Sequence, residues 1–214
     1  MLEYASSTDP ALGQGVAISE QTIYSHAKLP DALEHLDHAP SVENEKLRQL
    51  FDYWLGMVSG LTPPRKADID PMAIPRLLPH IWIQEHVAGT TEFRCRLAGE
   101  DVKDRYAVDI IGPLFSEVIG DKAWALVSEQ YMLAINTPGV CHSIGPVYMH
   151  TIERMGVGER ILMPLQNNEG VNAFILGATI YAPLAQASME QQAKTPRKTF
   201  IPLSVLMGGT STKT

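Results

Sequence analysis

A thiol flanked by two guanidinium groups is the first feature with chemical potential. In "TEFRCRLAG" (91–99) Cys95 stands between Arg94 and Arg96, which makes it either a chemical centre or the inward-facing residue of a strand. His35 and His38 lie three apart in "LEHLDH", close to Asp31 and Asp37, a spacing that puts both imidazoles on one face of a helix as half of a metal site. His142 and His150 bracket a strand-like run, and either one beside a carboxylate such as Glu85 would make an acid–base pair. Each feature has a plainer account. Phe93, Cys95 and Leu97 alternate with Glu92, Arg94 and Arg96, so Cys95 is expected to be a buried structural thiol on the inner side of a strand. The two arginines on its polar side suit ion pairs across a sheet better than a dedicated anion site. His35 and His38 supply two ligands where metals need three or four, so no metal is expected. No G-x-S-x-G, H-E-x-x-H or phosphate-loop pattern occurs anywhere, and no catalytic residue is assigned.

The chain around these residues has 214 positions, 45% of them hydrophobic, enough for one domain with extensions. A net charge of −7 makes no case for nucleic acid as a partner. Two cysteines without a C-x-x-C pair fit the reducing cytoplasm. The first residues lack the basic start and apolar stretch of a secretion signal, and no run approaches the length of a spanning helix, so no membrane association is expected. Charge divides the chain. Residues 1–40 carry six acidic residues against Lys28, whereas 184–214 carry Glu190 against Lys194, Arg197, Lys198 and Lys213. The first segment is read as an acidic extension. The last is read as a mobile basic tail, with the apolar "FIPLSVLM" free to dock on the domain or on a partner.

Between the extensions, 41–183 is patterned. Ser41 precedes "VENEKLRQLFDYWLGMVSG", where Leu47, Leu50, Phe51, Trp54, Leu55 and Val58 recur at helical spacing. This predicts an amphipathic helix over 41–59 with Ser41 as its cap. Asp70-Pro71 starts a short helix ending near Pro79. "HIWIQEHV" (80–87) and "TEFRCRLAG" form a hairpin, short broken helices cross 100–119, and Pro138-Gly139 stops a long helix over 121–139. Strands over 139–150, 159–166 and 171–183 finish the block. Two strand groups with helices between them predict an antiparallel α+β fold.

That order, together with "LRQLFDYWLGM", "PPRKADIDPMAIPRLLPHIWIQE" and "FRCRLAGEDV", closely resembles the stand-alone PAS domain proteins of alphaproteobacteria. The resemblance covers roughly 45–183. It implies a five-stranded antiparallel sheet cupping a pocket, with short helices around it and an extra N-terminal helix. Tyr106, Phe115, Trp124, Tyr131 and His142 would line the pocket. Flanking helices of this kind often pair between subunits, so Phe51 and Trp54 are expected at a homodimer contact. Flavin and haem are disfavoured as cofactors: Cys95 lacks the Asn before it and the Phe-Leu-Gln after it of a flavin-adduct cysteine, and no histidine occurs between 100 and 138 to serve as a helical haem ligand. The implied function is a non-enzymatic signalling module that senses a small ligand or acts through a protein partner. The alternative is a small enzyme that uses the same cavity with a histidine–carboxylate pair.

Overall fold

The structure is a computed structural model and describes residues 34–35, 40–106, 108–149, 154–181 and 197–208. The leading helix α1 spans Glu45–Gly56. It begins later than the sequence predicts, because Asn44 caps it by accepting from the Lys46 amide at 3.0 Å. Ser41 is exposed and outside the helix. Prolines at 75 and 79 then keep the expected short helix from forming, and it is split into single 3-10 turns at Pro71–Ala73 and Leu78–His80.

After the strand pair β2 (Ile81–His86) and β3 (Phe93–Ala98) come α2 (Glu100–Lys103), α3 (Phe115–Ile119) and the long α4 (Asp121–Asn136). Strands β4 (Gly139–Met149), β5 (Arg154–Gln166) and β6 (Asn172–Tyr181) follow. Two further strands, β1 (Glu34–His35) and β7 (Arg197–Pro202), extend the sheet, and α5 (Leu203–Gly208) closes the described chain. The sheet order is β1-β7-β4-β5-β6-β2-β3. Every pairing is antiparallel except β1 with β7. Five expected strands are therefore present in an α+β arrangement, and two more are added at the β4 edge.

The tail thus departs from expectation. Residues 197–202 pair with β4, Phe200 and Ile201 are fully buried, and Leu203 is nearly so. An unpaired edge offers a row of free amides and carbonyls, and the apolar run after Pro196 supplies the side chains that make docking there favourable. The expectation of a mobile tail fails over 197–208. Residues 182–196 lie outside the described residues.

Both faces of the sheet are covered. On one, Leu47, Leu50, Phe51 and Trp54 of α1 pack on Ile81, Ile83, Ile161, Met163, Leu165 and Leu176. On the other, α2, α3 and α4 pack Val102, Phe115, Trp124 and Tyr131 against Trp82, Phe93, Cys95, Leu162 and Ile175. Phe51 and Trp54, expected at a dimer contact, are therefore enclosed by the chain's own sheet, and the Trp54 indole also donates to the Pro164 carbonyl at 3.0 Å. The apolar stripe finds its partner within the monomer, leaving neither ring for a second subunit.

The three quoted motifs turn out to hold α1 and the crossing segment in place. The Asp70 amide donates to the Tyr53 hydroxyl at 2.8 Å, which ties "YW" to "DIDP". Asp68 accepts from both the backbone and the side chain of Arg65, while Asp70 caps the following turn through the Met72 amide. Gly99 ends "RLAG" against Leu78-Pro79: a Cβ there would sit 2.1 Å from the Leu78 carbonyl oxygen. Only glycine permits that approach.

Candidate functional site

The cup between the sheet and α2–α4 encloses a small cavity. Tyr106, Phe115 and Tyr131 line it, together with Trp82, Gln84, Cys95, Arg160, Thr179 and Tyr181. Trp124 stands one layer behind, edge-on to Phe115 at 6.0 Å and to Tyr131 at 5.6 Å between ring centroids. The Trp82 and Tyr131 rings are stacked 5.7 Å apart at 11°. The indole lies flat on Gly177, where a Cβ would come within 2.2 Å of it. As folded, the cavity amounts to about 20 Å³, room for a water or two and not for a ring.

His142 is the correction. Sequence reasoning put it in the pocket, but alternation along β4 sends Cys141 to the pocket face and His142 to the α1 face. There its Nε2 lies 2.7 Å from Glu159 Oε1, both side chains being buried. The same carboxylate accepts the Glu43 and Asn44 amides at 2.8 and 2.7 Å. Glu159 thus ties the sheet to the start of α1, at the end of the helix where a negative charge is favoured. Burial by itself would raise its pKa, but the bonds from His142 and the two amides outweigh that and hold it below the ordinary carboxylate range.

A depressed folded pKa means stability that is present above the unfolded value and lost as pH falls through the folded one. Glu159 should contribute fully at neutral pH and progressively less below its ordinary value of 4.5. Glu159→Gln is expected to cost about 2 kcal/mol at neutral pH, the size of a charge-assisted hydrogen-bond loss, and clearly less in acid. Urea unfolding of both proteins across that range checks it.

The other candidates fall outside the cavity. Glu85 pairs with Arg96 on the exposed side of the hairpin, and Arg94 donates to the Gly112 carbonyl at 2.8 Å. His142 and Glu85 are therefore not assembled as an acid–base pair, and His150 lies outside the described residues. His80 Nδ1 contacts Asp101 at 2.7 Å, with burial and then the Lys46 ammonium holding its pKa down. His38 also lies outside the described residues. Among those described, no group of three or more His, Cys, Asp or Glu could hold a metal. No described helix is long and apolar enough to cross a membrane. Cys95 is buried on the pocket side of β3 and donates to the Leu97 carbonyl. Burial pushes its pKa up to about 11, so it is a protonated thiol at neutral pH, not an activated nucleophile.

The polar residues of the cavity were missed by sequence reasoning. Arg160 extends from β5 into the cup, where its Nε donates to Thr179 Oγ1 at 3.0 Å and its guanidinium bonds the Tyr181 side chain. Gln84 is 2% exposed, and its Oε1 has no partner among the described residues. The signal for Arg160 was available. It is a lone cation in "ERILMPL", a strand otherwise apolar on that face.

A sheet of this order, with short helices over one face and a small enclosed cavity between them, defines a cup-shaped α+β domain. The sequence matches the PAS domain family over residues 42–180, more than half of the chain, and the protein belongs to that family. Strand β7 and helix α5 lie beyond the matched stretch. No curated protein matches the chain. Among solved structures, a light-oxygen-voltage domain studied with a flavin analogue is 11% identical with a TM-score of 0.38, the match covering 54% of this chain and 88% of that one. An RNA-binding light-oxygen-voltage receptor is 16% identical with a TM-score of 0.36, the match covering 58% of this chain and 36% of the receptor.

Proposed function

We propose that the protein is a non-enzymatic sensory or regulatory PAS module of the cytoplasm, in which the state of the cup is relayed through the sheet to α1 and from there to a protein partner or a second copy. One juxtaposition carries the reading. Glu159 and Arg160 are consecutive on β5, and strand alternation sends them to opposite faces. Arg160 belongs to the cavity, whereas Glu159 holds the Glu43 and Asn44 amides at the cap of α1. Any shift of β5 made to suit the cavity moves the carboxylate that anchors the helix. The segments over the cup, α2 and α3, are helices of only 4 and 5 residues, too short to be stable without their packing and therefore the natural moving part. A homodimer built on α1 would use its outer side, where Glu45, Arg48 and Asp52 are exposed.

Hydrogen exchange of the full chain tests the relay. Tyr131→Leu loosens the pocket face without touching the α1 face. The amides of Glu45–Gly56 are expected to exchange at least about five-fold faster in this variant, the lower end of ordinary coupling between sites. Loosening of 100–119 with unchanged protection of α1 would refute the relay.

A further inference from the structure

We infer that the cavity takes a small aromatic carboxylate whose ring carries a hydrogen-bonding group at the end remote from the acid. This rests on the reading of the cup as a sensor site and adds the chemistry of what it senses.

The acid end follows from Arg160. A guanidinium cannot shed its proton, and its partners here are the hydroxyl-bearing Thr179 and Tyr181. Among the described residues no carboxylate pairs with it. Other charges do not cancel it. The Arg105 guanidinium lies 4.7 Å over the Tyr181 ring, and burial holds the Lys198 pKa down, with Glu129 favouring its charge and Arg160 opposing it. A cation in a mostly apolar cup attracts an anion strongly, because little water competes for it. Burial also keeps the Tyr106 and Tyr131 phenols protonated, so they meet such an anion as donors rather than as charges.

The far end follows from Gln84, which is buried in the same wall with an Oε1 that has no partner among the described residues. A buried amide oxygen without a donor is rare enough to need a cause, and a ligand hydroxyl would supply the missing bond.

The ring follows from the distance between them. Arg160 pairs with Thr179, and Gln84 pairs with Ile175 on the same strand. The two are therefore two strands apart and offset along β6, roughly 16 Å between Cα atoms at ordinary sheet spacings. With both side chains reaching inward, the remaining span is about one substituted ring. The ground between is the Trp82 indole, flat on Gly177, with Tyr131 and Phe115 above, a surface that favours stacking. Since the cavity has space for little more than a water, entry requires Tyr131 or the α2–α3 segment to lift. The measured affinity is lowered by the fraction of molecules already open.

Calorimetry on the full chain with three probes tests this. 4-Hydroxybenzoate is expected to bind at least about ten-fold more tightly than 4-hydroxybenzamide, which keeps the shape and loses the charge, and than benzoate, which loses the hydroxyl. Arg160→Met should erase the preference for acid over amide, and Gln84→Leu the preference for the hydroxylated ring. The probe comparison on the unaltered protein stands even if a variant fails to fold. Equal binding of acid and amide would overturn the anionic class while leaving a ring-binding sensor. No binding of any probe at millimolar concentration, with α1 still responding to Tyr131→Leu, would overturn the ligand class alone. No binding and no response would overturn both the ligand and the relay.

Discussion

Removal of residues 197–214 is expected to abolish cooperative folding. The deletion takes away β7, in which Phe200 and Ile201 are fully buried, and also Leu203 at 1% exposure. Losing a buried side chain of this size costs about 2–5 kcal/mol each, so the three together reach the range of a whole domain's stability, about 5–15 kcal/mol. The loss also strips β4 of its partner on one side, leaving only β5. The backbone groups from Gly139 to Ile144 that face β7 become an open edge, a site for aggregation. The Glu43 carboxylate loses Arg197, 3.6 Å away, but that pair is exposed and contributes little. The expected observation is a truncated protein that expresses insoluble, or shows no cooperative urea transition where the full chain shows one. A truncated chain with an unchanged midpoint would mean that 197–208 is not part of the folding unit.

The strand that matters most here was also the least legible. Helix α1 could be read directly, because six apolar residues at helical spacing end at a glycine. The two hairpins could be read from alternation and turn residues. Strand β7 is six residues long and follows a polar stretch, so its apolar letters looked the same whether they docked on the domain or on a partner. Only the open β4 edge, a property of the assembled sheet, distinguishes the two.

The candidate site shows the same division. Tyr106, Phe115 and Tyr131 belong to the crossing segment and α4, which must cover the sheet, and their place could be inferred from the order of elements. His142 could not be placed that way. Alternation says which residues share a side, but it does not say which side is which when both faces are buried. Along β4, Val140, Cys141 and His142 are all buried, so the usual contrast between apolar and polar positions disappears there. Arg160 and Gln84 went unrecognised for the related reason that a polar residue in a strand suggests the solvent side. In a sheet covered on both faces, it marks either a cavity, as here, or a buried polar tie such as Glu159 with His142.

Replacing Phe51 and Trp54 together by alanine is expected to unfold the protein at every concentration. Trp54 has no exposed surface and Phe51 is 7% exposed, and both pack on the β5 and β6 side chains beneath α1. Each truncation costs about 3–5 kcal/mol when the site cannot collapse. The Trp54 change also leaves the Pro164 carbonyl without its indole donor, a buried acceptor whose loss adds about 1–3 kcal/mol. The sum again matches the stability of a domain. Concentration decides what the two rings contact. A residue that stabilises only through a subunit interface makes the thermal midpoint depend on protein concentration, and its removal yields a folded monomer. A residue enclosed by its own sheet lowers stability equally at all dilutions. Thermal melts of Trp54→Ala alone, run over a wide dilution series beside sedimentation of the unaltered chain, separate the two cases. The expected result is a large shift of the midpoint that does not vary with dilution. A Trp54→Ala protein that keeps its midpoint and is a folded monomer where the unaltered chain is a dimer would place the ring at an interface, and would require α1 to leave its sheet in the assembled state.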